Sequence, residues 1–246
     1  MMRLAAPLAA LAALCVAQAA AAVDCRDITF DDSPYTICEV DAQQEDLRLF
    51  LRDTKGAPLG QFSIIDRSLP EGQRLAFAMN AGMYHMDRSP VGFYVEGDHR
   101  EGRLLTGASA GNFGLLPNGV FCIRSGRADV IETLGFQARQ PACAYASQSG
   151  PMLVIDGALH PRFLADGTSR FLRNGVGTSA DGRRAVFAIS NAPVTFHAFG
   201  RLFRDHLKLP SALYFDGKIS RLHAPQLGRS DPGFWMGPVV GVVARD

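Results

Sequence analysis

The alternation of hydrophobic and polar residues predicts a chain built mainly of short strands. Leu47, Leu49 and Leu51 alternate with arginines, which is the two-residue period of a half-buried strand. Short apolar runs bounded by Gly, Pro, Asn or Asp predict further strands at residues 75–79, 151–156, 173–178, 184–190, 212–215 and 238–243.

Polar segments between these runs predict hairpins, and a few longer segments predict helices. Hairpins are expected where 92–96 meets 103–105, within 118–133, after Asp156-Gly157, and where 173–178 meets 184–190. Helices are expected at 61–69 and 138–146, and after Pro193, where large apolar residues recur every three or four positions and stop before Pro210.

Many strands with few helices predict the α+β class. We expect a mixed, largely antiparallel sheet with two or three packed helices. The chain has 246 residues, 47% of them hydrophobic and 20% charged, which suits one globular domain with a sizeable core. No internal repeat or low-complexity linker interrupts it, so residues 23–246 are predicted to form a single domain.

Residues 1–22 have the features of a secretory signal peptide. Arg3 is their only charged residue, an apolar run follows it, and small residues end the segment at two A-x-A sites. The run is too short to span a membrane comfortably, and no later segment approaches 18 apolar residues. A soluble periplasmic or secreted protein without a membrane span is therefore expected.

Export changes what the cysteines imply. Four of the five, Cys25, Cys38, Cys122 and Cys143, would remain after cleavage, and four cysteines allow three disulfide connectivities. An oxidising compartment favours disulfides, and sequence proximity suggests the pairs Cys25–Cys38 and Cys122–Cys143. No C-x-x-C occurs and no histidine lies at metal spacing from a cysteine, so zinc is not predicted. No cofactor is predicted either, and a cation shared by a phosphate and an aspartate stays an open alternative.

The charge balance argues against a nucleic-acid partner. Lys and Arg number 25 against 24 Asp and Glu, and a nucleic-acid-binding domain would favour a basic patch or stripe. Nothing in the sequence predicts the oligomeric state.

Three apolar runs stop at Asn or Asp beside glycine, and this repeated design points to a ligand site. They end at Asn80-Ala81-Gly82, Asp156-Gly157 and Asp216-Gly217. Glycine lets a ligand approach the backbone, and the polar side chain offers a hydrogen-bonding or acid/base group. Asp-Gly is also an ordinary turn signal, and for Asp156, flanked by apolar residues on both sides, we expect the ordinary turn.

Other polar residues lie next to these runs. Arg173 and Asn174 come at the start of a glycine-bearing strand, where arginine suits a phosphate or carboxylate; the alternative is a surface ion pair. Ser149 precedes a buried strand and has a simple turn as its alternative. His85 follows Gly82, and histidine is the side chain that changes charge near neutral pH.

Gly107 to Gly111 match the G-x-S-x-G pattern of serine hydrolases, with Ser109 as the nucleophile of an esterase. That motif requires a helix directly after the serine, and the following glycines, asparagines and Pro117 do not permit one. We therefore reject this interpretation.

Taken together, these segments resemble the phosphodiester glycosidase family, and most closely its compact exported bacterial members. The resemblance rests on NAGMYHMDRSPVGFYVEGD, GNFGLLPNGVFCI, SQSGPMLVIDGALHP, SRFLRNGVG, AVFAISNAPVTFHAFGRLFRD and ALYFDGKISRLHAP. It implies hydrolysis of a sugar–phosphate diester at the glycosidic bond. Many relatives have a second glycine where this chain has Lys218, and that difference bears on the substrate.

The resemblance assigns roles to individual residues. Asp216 would be the carboxylate at the sugar, acting by a retaining or an inverting route, and Arg173 would hold the phosphate. The catalytic candidates are Asp216, Asn80 and His85, and the substrate-binding candidates are Gly82, Ser149, Arg173, Asn174 and Gly217. A non-catalytic envelope module that binds glycan or phosphoglycan in the same pocket is the alternative, and turnover would distinguish the two.

Overall fold

The structure is a computed structural model that describes residues 23–245, so the predicted signal peptide lies outside the described residues. Strands dominate the fold. In chain order they are β1 (Asp24–Phe30), β2 (Ser33–Asp41), β3 (Asp46–Phe50), β4 (Gln73–Asn80), β5 (Tyr94–Glu96), β6 (His99–Glu101), β7 (Gly119–Arg124), β8 (Arg127–Glu132), β9 (Tyr145–Ser149), β10 (Met152–Ile155), β11 (Ala158–Leu159), β12 (Asn174–Thr178), β13 (Arg184–Ser190), β14 (Ser211–Asp216), β15 (Leu222–Ala224), β16 (Arg229–Ser230) and β17 (Val239–Arg245).

The helices of the described chain are short. They are α1 (Phe62–Ser68), α2 (Thr133–Arg139) and α3 (Phe196–Arg201), the last continuing into a π-helical turn at Leu202–His206; a single 3₁₀ turn occupies Pro225–Leu227. No helix in residues 23–245 is long and apolar enough to cross a membrane.

The strands form three antiparallel sheets. The largest has seven strands in the order β1-β2-β13-β12-β14-β10-β11. A second has the order β16-β15-β4-β17-β3, and a third β6-β5-β9-β7-β8. Antiparallel sheets accompanied by a few short helices confirm the predicted α+β class.

One aromatic cluster joins all three sheets and makes them a single core. Phe77 from β4 lies 4.8 Å, ring centroid to centroid, from Phe187 of β13, and Phe121 of β7 lies 5.8 Å from Phe187. Phe121 also lies 6.2 Å from Phe215, in the strand that ends at Asp216. Each ring is fully buried, a contribution of about 1.5–3 kcal/mol per side chain. The core thus fixes where the ends of β4 and β14 meet.

Helix α3 covers the other face of the seven-stranded sheet. Phe199, Leu202 and Phe203 are fully buried there, as the apolar spacing predicts. The Thr195 hydroxyl begins the helix by accepting a hydrogen bond from the Ala198 N–H at 3.1 Å.

Two predicted elements differ from the structure. The predicted helix at 138–146 is wrong, because α2 ends at Arg139, where Gln140 adopts a left-handed φ of 46° and Pro141 follows. The hairpin after β5 has the predicted turn at Gly97-Asp98 but returns at β6, not at 103–105. A two-residue turn places His99 opposite Glu96, so the return strand must begin at once.

Both disulfides form as sequence proximity suggests. Cys25 pairs with Cys38 across β1 and β2, and Cys122 of β7 pairs with Cys143 just before β9. Their sequence separations are 13 and 21 residues. Two disulfides fit an extracellular location.

Removing a disulfide should lower thermal stability without changing the fold. Closing a loop of this size is worth about 3 kcal/mol in the entropic model, so Cys122→Ser/Cys143→Ser should reduce Tm by roughly 6–12 °C.

The disulfides of the wild-type protein can be checked by mass. Intact mass of exported wild-type protein after alkylation should show four labelled thiols only when reductant is present. Four labelled thiols without reductant would contradict the pairing.

Candidate active site

Three strand ends bring the site together. β12 begins at Asn174 and β14 ends at Asp216, and because the two strands run antiparallel, these residues pair at the same edge of the sheet. β4, in the second sheet, ends at Asn80 and reaches the same place. Two of the three polar-glycine motifs therefore meet, although Asn80 and Asp216 are far apart in sequence.

A pair of buried asparagines links the two sheets. The Asn80 Nδ2 donates to Asn174 Oδ1 at 3.2 Å and to the Ile219 carbonyl at 2.6 Å. The Asn174 Nδ2 donates to the Asn80 carbonyl at 2.9 Å, and the Arg221 N–H donates to Asn80 Oδ1 at 3.0 Å. Both amides are fully buried and bonded to protein atoms, so they hold the strand ends in register.

Asp216 lies directly on this pair and is partly exposed. Its backbone N–H donates to Asn174 Oδ1 at 3.2 Å, and its Oδ1 accepts the N–H groups of Gly217 at 2.6 Å and Lys218 at 2.9 Å. Burial raises the pKa of the Asp216 carboxyl above its ordinary value, against a smaller lowering by these N–H groups and by the Lys218 charge. A carboxylate with a raised pKa at a strand end is suited to accept a proton.

Tyr214 lies on the inner side of the Asp216-Gly217 turn, and sequence analysis did not single it out. It is fully buried, and a Cβ on Gly217 would overlap its hydroxyl. The hydroxyl has no hydrogen-bond partner that meets normal geometry, and burial raises its pKa, as does the Asp216 charge; the Arg173 charge opposes this. The signal available in the sequence was that Tyr214 lies two residues before Asp216 in the same predicted strand, a spacing that puts both side chains on one face of the sheet.

Arg173 is not in a surface ion pair but is 1% exposed. Its Nε donates to the Val194 carbonyl at 2.9 Å, its Nη2 donates to the Ser169 carbonyl at 3.1 Å, and its guanidinium carbon lies 3.5 Å from the Phe196 ring centroid. Nη1 has no hydrogen-bond partner in the described chain. Burial lowers the pKa of the guanidinium, a sign that its charge lacks full compensation.

Gly82, in the loop after β4, and Ser149, at the end of β9 in the third sheet, lie beside these strand ends. A Cβ on Gly82 would lie 2.8 Å from Ser147 Oγ, which itself donates to the Ala81 carbonyl at 2.7 Å. The buried Ser149 hydroxyl donates to the Phe215 carbonyl at 2.9 Å, one residue before Asp216. Both residues thus fix the backbone beside the catalytic candidate.

The remaining predicted residues lie around or outside this cluster. His85 is exposed in the loop after β4, where its N–H donates to the Ser89 carbonyl at 2.8 Å. Asp156 is exposed at the β10–β11 turn, as expected of an ordinary Asp-Gly turn. Ser109 is exposed and followed by turns, not by a helix, which confirms that the serine-hydrolase motif is accidental.

The candidate site does not lie in any of three open clefts on the surface of the described chain. Three open clefts of about 450, 540 and 610 Å³ lie elsewhere on the described chain, and none is lined by Asp216 or Asn80. The candidate site is instead defined by the hydrogen bonds among Asn80, Asn174 and Asp216 and by the buried guanidinium of Arg173. Within residues 23–245, no three His, Cys, Asp or Glu side chains are grouped to hold a metal ion.

The chain is similar to known proteins in sequence and in fold. The family model of phosphodiester glycosidases matches residues 73–224, a span that contains Asn80, Arg173 and Asp216. The uncharacterized protein YigE of Escherichia coli strain K12 is 30% identical over 207 residues, which are 83% of this chain and 80% of YigE.

Two solved structures share the fold. The zebrafish N-acetylglucosamine-1-phosphodiester alpha-N-acetylglucosaminidase catalytic domain, auto-inhibited by its pro-peptide, has a TM-score of 0.58 and 14% identity, over 89% of this chain and 81% of that one. A hypothetical protein from Synechocystis has a TM-score of 0.53 and 13% identity, over 91% of this chain and 62% of that one.

Proposed function

The chain belongs to the phosphodiester glycosidase family, and on that premise we propose that it hydrolyses the glycosidic bond of a sugar-1-phosphodiester. Family membership supports a glycosidase-like function. The substrate class is taken from the family's description and from the name of the zebrafish enzyme that shares the fold. The observation that carries the proposal is Asp216, a partly exposed carboxylate with a raised pKa whose backbone N–H donates to the buried Asn174 side chain.

In this reaction the bond between the anomeric carbon and the phosphate oxygen breaks, and its electron pair leaves with the phosphomonoester. The second pKa of a phosphomonoester is about 6, so the group departs without strong acid assistance. A water oxygen ends on the anomeric carbon. Asp216 accepts the water's proton directly, or it attacks the anomeric carbon as a nucleophile and is released as a carboxylate when water displaces it from that carbon in a second step, with the water's proton passing to solvent.

Arg173 provides the positive charge for the phosphate. Three observations support this role: the guanidinium is buried, its Nη1 makes no hydrogen bond of normal geometry although the Tyr214 hydroxyl lies close by, and none of the ion pairs among the described residues includes it. An anion nearby would compensate the buried charge. Asn80, Asn174 and Ser149 hold the strand ends so that the carboxylate and the guanidinium keep their separation.

His85 and the two glycines complete the proposed site. His85, exposed in the loop after β4, is the residue proposed to carry protons between the site and solvent. Gly82 and Gly217 act through the backbone, because Ser147 and Tyr214 fill the space that a side chain would take at these two positions.

We also propose that the protein is exported to the periplasm or secreted after removal of residues 1–22. The two disulfides support this location.

A substrate screen tests the function. Purified mature protein is incubated with UDP-sugars and other sugar-1-phosphodiesters, and released free sugar is measured. Release of free sugar in equal amount with its leaving group, UDP from a UDP-sugar and a phosphomonoester from the other diesters, supports the hydrolase. Saturable binding without release would instead favour the non-catalytic glycan-binding module.

The raised pKa of Asp216 predicts the acid side of the pH profile. If the deprotonated carboxylate is the active form, kcat/KM should fall as pH decreases through the raised pKa, hence above the ordinary aspartate value of about 3.9. Measuring kcat/KM from acid to neutral pH locates this limb. An acid limb at or below the ordinary value would contradict the assignment of Asp216.

A further inference from the structure

Two large aromatic side chains are exposed beside the candidate site. Phe234 is 81% exposed and Trp235 is 44% exposed, and Trp235 is the only tryptophan of the chain. Tyr84 lies next to them, since its hydroxyl donates to the Trp235 carbonyl at 3.4 Å. We call Tyr84, Phe234 and Trp235 the aromatic platform. Exposed aromatic clusters of this kind mark interaction sites more often than isolated exposed residues do.

A buried arginine fixes the loop that carries the platform. Arg221 is 6% exposed, and its Nη1 donates to the Phe234 carbonyl at 2.7 Å. Its Nε and Nη2 both donate to the Asp231 carbonyl, at 3.0 and 2.7 Å. Trp235 also packs on Gly60, where a Cβ would lie 2.6 Å from the indole ring. Aromatic side chains on a fixed backbone lose little conformational entropy on binding.

The same arginine connects the platform to Asp216. The backbone N–H of Arg221 donates to Asn80 Oδ1 at 3.0 Å, and the Asn80 Nδ2 donates to the Ile219 carbonyl in the turn that follows Asp216. Burial raises the pKa of Tyr84, and the Asp216 charge raises it further. The loop of the platform and the turn that follows Asp216 are therefore both tied to the end of β4.

The platform and Arg173 belong to different layers of the molecule. Tyr84 packs against the apolar cluster beneath α1, whereas Tyr214, close to Arg173, belongs to the cluster beneath α3. Asp216 lies where the two layers meet, because its backbone N–H donates to Asn174 Oδ1 and the Asn174 Nδ2 donates to the Asn80 carbonyl of β4. A ligand centred on Asp216 can thus place its anionic group toward Arg173 and its other part on the platform.

We propose that the aromatic platform binds the glycosyl part of the substrate, with the apolar C–H face of a sugar ring stacked on Trp235 and Phe234. A sugar ring has an apolar face and a polar edge, which suits aromatic planes with polar groups at their margin. The Tyr84 hydroxyl and the Arg88 guanidinium, whose carbon lies 5.5 Å from the Tyr84 ring centroid, provide that margin. This inference rests on the proposed function, because it takes Asp216 as the reaction centre.

Tryptophan fluorescence tests the platform without requiring turnover, because its signal comes from Trp235 alone. Asp216→Asn protein is titrated separately with N-acetylglucosamine and other free hexoses, with UMP, and with UDP-N-acetylglucosamine. We expect a free sugar and the UDP-sugar to change the emission, and UMP to leave it unchanged. Phe234→Ala, which keeps the reporter, should weaken sugar binding by about tenfold or more. Leu134→Ala, at a 56% exposed position on α2, is the control and should leave it unchanged.

The outcomes separate this inference from the proposed function. A response to UMP alone would assign the platform to the nucleobase and overturn the inference, as would no response to any sugar or UDP-sugar at high millimolar concentration. If wild type turns over a sugar phosphodiester and Phe234→Ala and Trp235→Ala keep its KM, the inference fails while the function stands. If sugars bind at Trp235 and wild type turns over no diester, the sugar contact stands and the proposed function fails.

Discussion

Replacing Asp216 by asparagine should reduce kcat by at least about a hundredfold while substrate binding changes little. The amide keeps the size of the carboxylate and can still accept the Gly217 and Lys218 N–H bonds, but it cannot accept a proton. A hundredfold loss is the low end for removal of a general base. Kinetics of wild type and variant on the same sugar phosphodiester measure both quantities.

The Asp216→Asn protein should also be as stable as wild type or more so at neutral pH. Because the folded-state pKa of Asp216 is raised, its contribution to stability is fully present at low pH and is lost as pH rises through that pKa. The amide never ionises and avoids this loss. Melting temperatures across the same pH range check the sign.

Asp156→Asn is the matched control for this substitution. Asp156 shares the Asp-Gly sequence and lies exposed at a turn outside the cluster, so its variant should keep wild-type kinetics. Near-wild-type turnover by a well-folded Asp216→Asn protein would remove Asp216 from the mechanism.

Replacing Arg173 by lysine should weaken the use of the phosphodiester by roughly a hundredfold in kcat/KM. Lysine keeps a positive charge but loses the planar fork, so it cannot bind both main-chain carbonyls and a phosphate oxygen together. Loss of one preorganised donor in a site that stabilises developing charge costs about 10²–10³. Inhibition by a phosphomonoester product should weaken in parallel, and this readout separates phosphate binding from a purely structural role.

Arg183→Lys provides the comparison, because Arg183 forms a surface ion pair with Asp41 at 2.9 Å. Such pairs contribute little, so this variant should behave as wild type in kinetics and melting. If Arg173→Lys lowers Tm but keeps the KM and the product inhibition of wild type, Arg173 supports the fold and does not bind phosphate.

Local patterns were sufficient to predict much of the fold. Apolar periodicity predicted β12, β13, β14 and the α3 segment, and cysteine proximity predicted both disulfides. These features depend on residues close together in the chain, where period, turn chemistry and loop length act directly. The wrong helix at 138–146 is also a local error. Pro141 lies inside that predicted span, and in the structure α2 ends before it, with Gln140 in a left-handed conformation.

The sequence by itself determined the family, the strand pattern and the set of polar residues beside glycine. Only the tertiary structure decided which of them form a site. Asn80 meets Asn174, 94 positions later, because the shared aromatic core brings two sheet edges together, and the same packing leaves Asp156 in solvent. Phe196 buries Arg173, and Arg221 holds the aromatic platform, through contacts between segments that are distant in sequence. Hydrophobic periodicity does not encode such contacts, because the packing of whole sheets determines them.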